Sequence, residues 1–318
     1  MSIVPLTARH VPEAADLVVR GVEQIRRRVP ILPPAWADPV VVGRFLGELV
    51  AHGTGLAIED DGLLVAYQAS VLMDGHGGRW SYTPDVGHAA PWDEDGRQRT
   101  ALYARLAEGW VRDACPEHVM TILVDDGAAI AALTGLGFGH IVVDLVRDLS
   151  PVEVPGLPDG VFVRRAGADD AGSVAALDAA LRRHLEASPI FLRPAVPAAP
   201  EILRRDLRSP REATFLAERD GRAIAFIRIG PCATDVATVV RDVRTASITG
   251  AFTSPDLRGR GVATALLAAA VGWAGDEGFE RCAVDHESAN GEASRFWARH
   301  CTPVAISMAR RLPAGIVA

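Results

Sequence analysis

Arg258-Gly259-Arg260-Gly261-Val262-Ala263-Thr264 is the stretch on which the reading of this chain turns. It follows the extended segment Ala246-Ser247-Ile248-Thr249-Gly250-Ala251-Phe252-Thr253 and the breaker Ser254-Pro255-Asp256. Behind it comes a strongly helix-forming run, Ala265, Leu266, Leu267, Ala268, Ala269, Ala270 and Val271. A strand, a glycine-bearing turn and a helix N-terminus in that order make an anion cradle. Glycines let backbone approach a ligand closely, and the unpaired amides of the first helical turn point at it with the positive end of the helix dipole. Arg258 and Arg260 add charge, so the expected guest carries phosphate.

Two familiar phosphate loops are excluded by spacing. A Walker A loop needs Lys followed by Ser or Thr, and the dinucleotide fingerprint needs three glycines and an acidic residue about 20 positions on. Arg258, Gly261 and Ala263 read instead as Arg-x-x-Gly-x-Ala. That turn resembles the pyrophosphate-binding signature of the GNAT superfamily, the Gcn5-related N-acetyltransferases. Thr253-Ser254-Pro255-Asp256 stands where the family has Val-x-Pro-Glu. Downstream, residues 280–285 read as a short strand and residues 290–301 as a helix. Asn290 and Ala293 match the family's Asn-x-x-Ala-x-x-x-Tyr-x-x-x-Gly-Phe, while Trp297 replaces the tyrosine and Cys301-Thr302 replaces Gly-Phe.

The resemblance implies an acetyl-CoA-dependent N-acetyltransferase without a metal, in which an amine attacks the thioester directly. The acceptor would be a small-molecule or protein amine. It implies backbone pairing of Ala251, Phe252 and Thr253 with the pantetheine arm, a pyrophosphate held at Arg258, Gly259, Arg260, Gly261, Val262, Ala263 and Thr264, and Asn290 near the thiol end. A bulky residue at Gly261 is then expected to abolish CoA binding and leave the fold intact. The family tyrosine often protonates the departing thiolate; the indole N–H of Trp297 has no accessible pKa for this. A thiol pKa of about 8.5 still allows departure without an acid. A base is needed, because an alkylammonium near pKa ~10 is not nucleophilic at neutral pH. Thr245, Ser247 and Thr249 offer no carboxylate, whereas Asp285-His286-Glu287 brings three titratable groups to the thiol end. His286 is the first candidate, its ordinary pKa being the best suited, and Glu287 the second. Cys282 and Cys301 lack a matched base and orienter, which argues against a covalent intermediate. The competing class is a non-catalytic acyl-CoA-binding or sensor protein, motivated by the missing tyrosine and strand carboxylate.

At 318 residues, 49% hydrophobic and 23% charged, the chain has material for about two well-cored domains. A formal net charge of −7 argues against a general nucleic-acid surface. The four cysteines (Cys115, Cys232, Cys282, Cys301) lack CxxC spacing, so neither a metal nor a disulfide framework is indicated. No apolar run suggests a signal segment or a membrane span, and the expectation is a cytoplasmic monomer or homodimer.

The chain also reads as written twice. Residues 3–17 are echoed by residues 161–175; the Asp61-Gly62 hairpin is echoed by Asp220-Gly221; Asp126, Ala129 and Leu133 keep the spacing of Asn290, Ala293 and Trp297. The offsets, 221 − 62 = 159 and 290 − 126 = 164, stay near 160. The expected fold class is therefore α/β (α+β): two tandem GNAT folds, each a mixed, mostly antiparallel sheet flanked by helices. Residues 1–150 form the first and 159–318 the second, joined by a Pro- and Gly-rich linker. In the first copy, Pro91-Trp92-Asp93-Glu94-Asp95-Gly96 replaces the basic turn before a helix from Arg97 to Ala114. Those carboxylates suit a helix N-terminus and would repel pyrophosphate, so the first domain is expected to have lost CoA. The acceptor side would involve residues 181–200, with Arg182, Arg183, His184, Glu186, Arg193 and prolines 189, 194, 197 and 200.

Overall fold

The computed structural model describes residues 1–75, 78–91, 95–194, 199–313 and 315–316. Trp92, Asp93, Glu94 and Pro197, singled out above, lie outside the described residues. The chain folds into two compact units. Unit 1 comprises Met1–Leu145, Ala237–Val240 and Thr302–Ala318; unit 2 comprises Val146–Val236 and Arg241–Cys301.

Unit 1 runs β1 (Ser2–Pro5), α1 (Val11–Arg28), α2 (Pro39–His52), β2 (Thr54–Asp60), β3 (Leu63–Gly75), β4 (Gly78–Thr83), β5 (His88–Ala89), α3 (Arg97–Arg112), β6 (Glu117–Leu123), α4 (Gly127–Gly135) and β7 (Gly139–Asp148), whose last residues pass into unit 2. Helix α1 has Pro12 in its first turn and Arg26, Arg27 and Arg28 in its last, where proline and cations suit helix ends. It buries Ala14, Ala15, Val18, Val22 and Ile25, a stripe at helical spacing. The hairpin between β2 and β3 turns on Asp61 and Gly62, both left-handed at φ 48° and 81°, as a two-residue type I′ connection demands.

Unit 2 runs β8 (Val161–Arg165), α5 (Ala171–Glu186), α6 (Pro200–Asp206), β9 (Ala213–Arg219), β10 (Arg222–Pro231), β11 (Thr245–Thr253), α7 (Val262–Asp276), β12 (Arg281–Glu287) and α8 (Gly291–His300). Its hairpin between β9 and β10 repeats the first, with Asp220 and Gly221 at φ 53° and 72°. The strands lie in the order β12-β11-β10-β9-β8, antiparallel except for β11–β12. The core under α5 gathers Ala166, Val174, Leu177, Leu216 and Phe226.

The duplication extends to register. Strands β4 and β6 pair in parallel from Trp80↔Glu117 to Thr83↔Met120, and β11 and β12 do so from Thr245↔Arg281 to Ile248↔Val284. The offsets are 245 − 80 = 165 and 281 − 117 = 164.

The compact units do not follow the linear division expected at residues 150 and 159. The last strand, β13 (Thr302–Arg311), pairs antiparallel with β6, from Ala305↔Leu123 to Arg311↔Glu117. Met308 thereby joins the buried cluster of Tyr103, Trp110, Met120, Ile122, Leu133 and Phe138 in unit 1. The insertion at 237–240 is held by carboxylates: Asp144 accepts from Ala237 N, and Asp85 from Thr238 N and Val239 N, each at 2.8 Å. Alternation identifies a strand without saying which of two related edges it joins.

Candidate functional site

Strand β11 parts from β12 before either ends. Their ladder stops at Ile248↔Val284, yet β11 continues to Thr253 and β12 to Glu287. On its other edge β11 stays on β10, through Gly250↔Arg228, Ala251↔Ile227, Phe252↔Phe226 and Thr253↔Ala225. The register with β10 shifts between Arg228 and Ile229, so Thr249 is an extra residue on the β11 side, a bulge that bends the strand. Thr249 is exposed. The result is a notch with the main chain of 249–253 along one wall.

The chain leaves β11 through Ser254, whose amide and hydroxyl both donate to Ile224 O at 3.0 and 2.8 Å. After a short turn over Pro255–Leu257, α7 opens at Val262. Its N-cap, Gly261, is left-handed at φ 81° and supplies no side-chain acceptor. The first amide to find a helical carbonyl there is that of Ala265, bonded to Gly261 O. The amides of Val262, Ala263 and Thr264 therefore form the open positive end of the helix. Strand, turn and helix N-terminus are assembled as the sequence implied.

Two cradle residues behave differently from expectation. Arg258 donates from Nε to Thr253 O at 3.0 Å, pairs with Glu292, and sits 5.7 Å from the centre of the Phe252 ring. It ties the strand end to the turn, and part of its charge is answered by Glu292. Arg260 is exposed and has no ion pair among the described residues, making it the freer cation. Gly261 carries a second constraint: an added Cβ would lie 2.9 Å from Pro155 Cγ and 3.4 Å from Gly156 O. The Pro-rich segment after β7 packs on the turn. A bulky residue at Gly261 would therefore disturb backbone and packing together, against the expectation of an intact fold.

Asn290 is the N-cap of α8, its Oδ1 accepting from Ala293 N at 3.1 Å. Trp297 is buried beside Phe296 with ring centres 4.8 Å apart. The protein's three tyrosines, Tyr67, Tyr82 and Tyr103, all belong to unit 1. Burial pushes the Cys301 thiol up to about 12 and the Cys282 thiol well above its ordinary value, so neither is primed as a nucleophile.

The titratable trio divides across the sheet. Alternation sets Asp285 and Glu287 on the face of Arg281 and Ala283, and His286 on that of Cys282 and Val284. His286 is 6% exposed, with Nδ1 3.0 Å from Glu287 O. Asp285 is reached by water, but the protein packed around its carboxyl removes hydration and, with repulsion from Asp235 and Glu287, pushes it up to about 6. The direction, upward, agrees with the crowding of like charges. Sequence reasoning ranked Asp285 behind its neighbours and missed the Thr249 bulge; the Thr249-Gly250 pair inside a strand was its one signal. On α5, Asp178 accepts from Arg182 Nε at 2.9 Å and Arg228 Nη2 at 3.3 Å, so those arginines are already paired.

In unit 1 the corresponding helix start is engaged by side chains of its own unit. Gly96 is the left-handed N-cap of α3 at φ 81°, but Asp95 accepts from Arg97 N at 3.3 Å. Arg99, 7% exposed, reaches Asp126 Oδ2 at 2.5 Å, while Asp126 Oδ1 caps α4 through Ala129 N at 3.0 Å. A cavity of about 20 Å³ remains among residues including Leu17, Val18, Asp85, His88, Leu123 and Asp126, room for about one water. Burial, followed by the Arg99 charge, lowers the His88 pKa and keeps the ring neutral.

Unit 2 is thus a mixed sheet whose β11–β12 pair parts beside a helix N-terminus without a side-chain cap. Residues 179–301 match the model of the Acetyltransferase (GNAT) family, a match that ends where unit 2 ends. Across the whole chain the fold resembles those of two solved structures. A GCN5-related N-acetyltransferase from Sphaerobacter thermophilus is similar at TM-score 0.62 and 15% identity, covering 99% of this chain and 96% of its own. A tandem GNAT protein from the clavulanic acid biosynthesis pathway, solved without acetyl-CoA, is similar at TM-score 0.51 and 16% identity, with 98% of each chain covered. No curated protein matches. Among the described residues there is no helix long and apolar enough to cross a membrane and no cluster of metal-ligating side chains.

Proposed function

We propose that unit 2 binds acetyl-CoA and transfers its acetyl group directly to an amine. The observation that carries this reading is the continuity of the notch along 249–253 with the open amides of Val262, Ala263 and Thr264. A pantetheine amide pairs with a free strand edge, and a pyrophosphate suits a helix N-terminus. Phe252 and Thr253 line the arm's path, Arg260 supplies cationic charge, and Asn290 acts by holding the start of α8. Attack of a neutral amine on the thioester forms the C–N bond and releases the thiolate, with a backbone amide polarising the carbonyl. Unit 1 does not take the cofactor: its helix amide at Arg97 is already capped, β4 ends where its ladder with β6 ends, and the Arg99–Asp126 ion pair stands at the positions equivalent to Thr264 and Asn290.

The test is calorimetric titration of acetyl-CoA into the wild type and Ala263→Asp. Aspartate in a first helical turn suits the dipole, so this variant should melt no lower than wild type while repelling pyrophosphate. The expected result is one equivalent bound by wild type and a Kd raised at least about 100-fold in the variant, a loss of about 2.7 kcal/mol. Unchanged affinity in Ala263→Asp would remove the site from α7; two equivalents would assign cofactor to unit 1 as well. Binding without thiol release across an amine panel would favour the acyl-CoA sensor.

A further inference from the structure

The last β11–β12 pair, Ile248↔Val284, leaves Asp285 as the first residue of β12 inside the notch. Continuing the parallel register would set it opposite Thr249, the bulged and exposed residue of β11. It shares a face with Ala283 and therefore with Ser247, whose Oγ accepts from Ala233 N at 3.1 Å. That bond holds the loop carrying Asp235 over the same face. The charged groups facing Asp285 are Asp235 from this loop and Glu287 from β12 itself, and both are anionic. No cation is among the groups that shift it.

We propose that Asp285 is the general base of the acetyl transfer, taking a proton from the acceptor ammonium at the mouth of the notch. This rests on the reading of unit 2 as an acetyltransferase. The carboxylate accepts one N–H proton, and the neutral amine attacks the thioester carbon. The C–N bond forms, the C–S bond breaks, and the electron pair leaves on sulfur. A second amine proton passes to that sulfur or to water, and the Asp285 carboxyl returns its own proton to solvent. Loss of hydration under the surrounding protein, followed by repulsion from Asp235 and Glu287, raises its basicity towards neutrality, as a proton acceptor working near pH 7 requires. The same surroundings favour a cationic substrate at this mouth. His286, on the opposite face and buried, is not used.

Two small amines separate a base from a structural residue. Ethylamine is an ammonium at neutral pH and needs deprotonation; methoxyamine is already neutral. With acetyl-CoA saturating, Asp285→Asn should lose about 100-fold in kcat/KM on ethylamine at pH 7 and regain it as pH rises. On methoxyamine the same variant should stay within about threefold of wild type, and its Kd for acetyl-CoA should not change. Equal loss on both amines, or a loss that does not depend on pH, would make Asp285 structural and overturn the assignment. So would full activity of Asp285→Asn, or no turnover of either amine by a wild type that binds acetyl-CoA. Failure of wild type to bind acetyl-CoA would instead overturn the underlying reading of unit 2.

Discussion

Gly261 carries the sharpest constraint at the scale of single residues. Its φ of 81° and the 2.9 Å approach of Pro155 Cγ to an added Cβ act in the same direction. Gly261→Ala should cost about 1–3 kcal/mol, the left-handed penalty plus the displacement of Pro155. Denaturant titration reads this directly, and loss of less than ~0.5 kcal/mol would mean that the turn relaxes freely. The cradle motif was legible because its meaning is local: glycines and a helix start within seven residues fix where amides point. The partner of Arg258 was not, since Glu292 lies 34 positions away and only the fold brings the two together. The ordering within Asp285-His286-Glu287 likewise drew on local information alone, and the proposal for Asp285 departs from it. Ordinary pKa values favour histidine, whereas alternation along β12 and the approach of Asp235 favour aspartate.

Among elements, both hairpins were readable, whereas Asp126 and Asn290 were legible only as matching positions of the repeat and the structure makes them caps. Asp-Gly between apolar runs demands a type I′ turn, and Asp126 and Asn290 each cap a helix at the same place in the repeat. The bulge in β11 escaped because neither Thr249 nor Gly250 contributes to an apolar pattern, so an extra residue leaves the alternation undisturbed. The two helix starts that resemble each other in backbone, Gly96-α3 and Gly261-α7, differ in what covers them. In unit 1 a buried ion pair, Arg99 with Asp126, replaces the polar pair Thr264 and Asn290 at the equivalent positions. Arg99→Thr should cost about 3–5 kcal/mol, because it leaves Asp126 charged and buried. Adding Asp126→Asn should restore at least about 1 kcal/mol, since asparagine keeps the cap on Ala129 N without the charge. Additive losses in that double-mutant cycle would show that the pair is not coupled.

For the molecule as a whole, the repeat predicted two folds, and the structure contains two, but the final strand completes the first. Deleting residues 302–318 should therefore expose the β6 edge and uncover the cluster around Trp110 and Met120, both in unit 1. Limited proteolysis of the truncated chain should cut first within residues 1–145, and the mean emission of its tryptophans should shift red. Initial cleavage within residues 161–231 would contradict the pairing of β13.

That pairing also sets an order in time. A ribosome that has made Leu145 must add roughly 150 more residues before β13 emerges, about 8–30 s at about 5–20 residues per second. Throughout that interval the nascent unit 1 carries an open β6 edge and lacks Met308 from its core. The first half of this protein is thus the last to finish folding, and its exposure to chaperones during synthesis is set by the length of the second half.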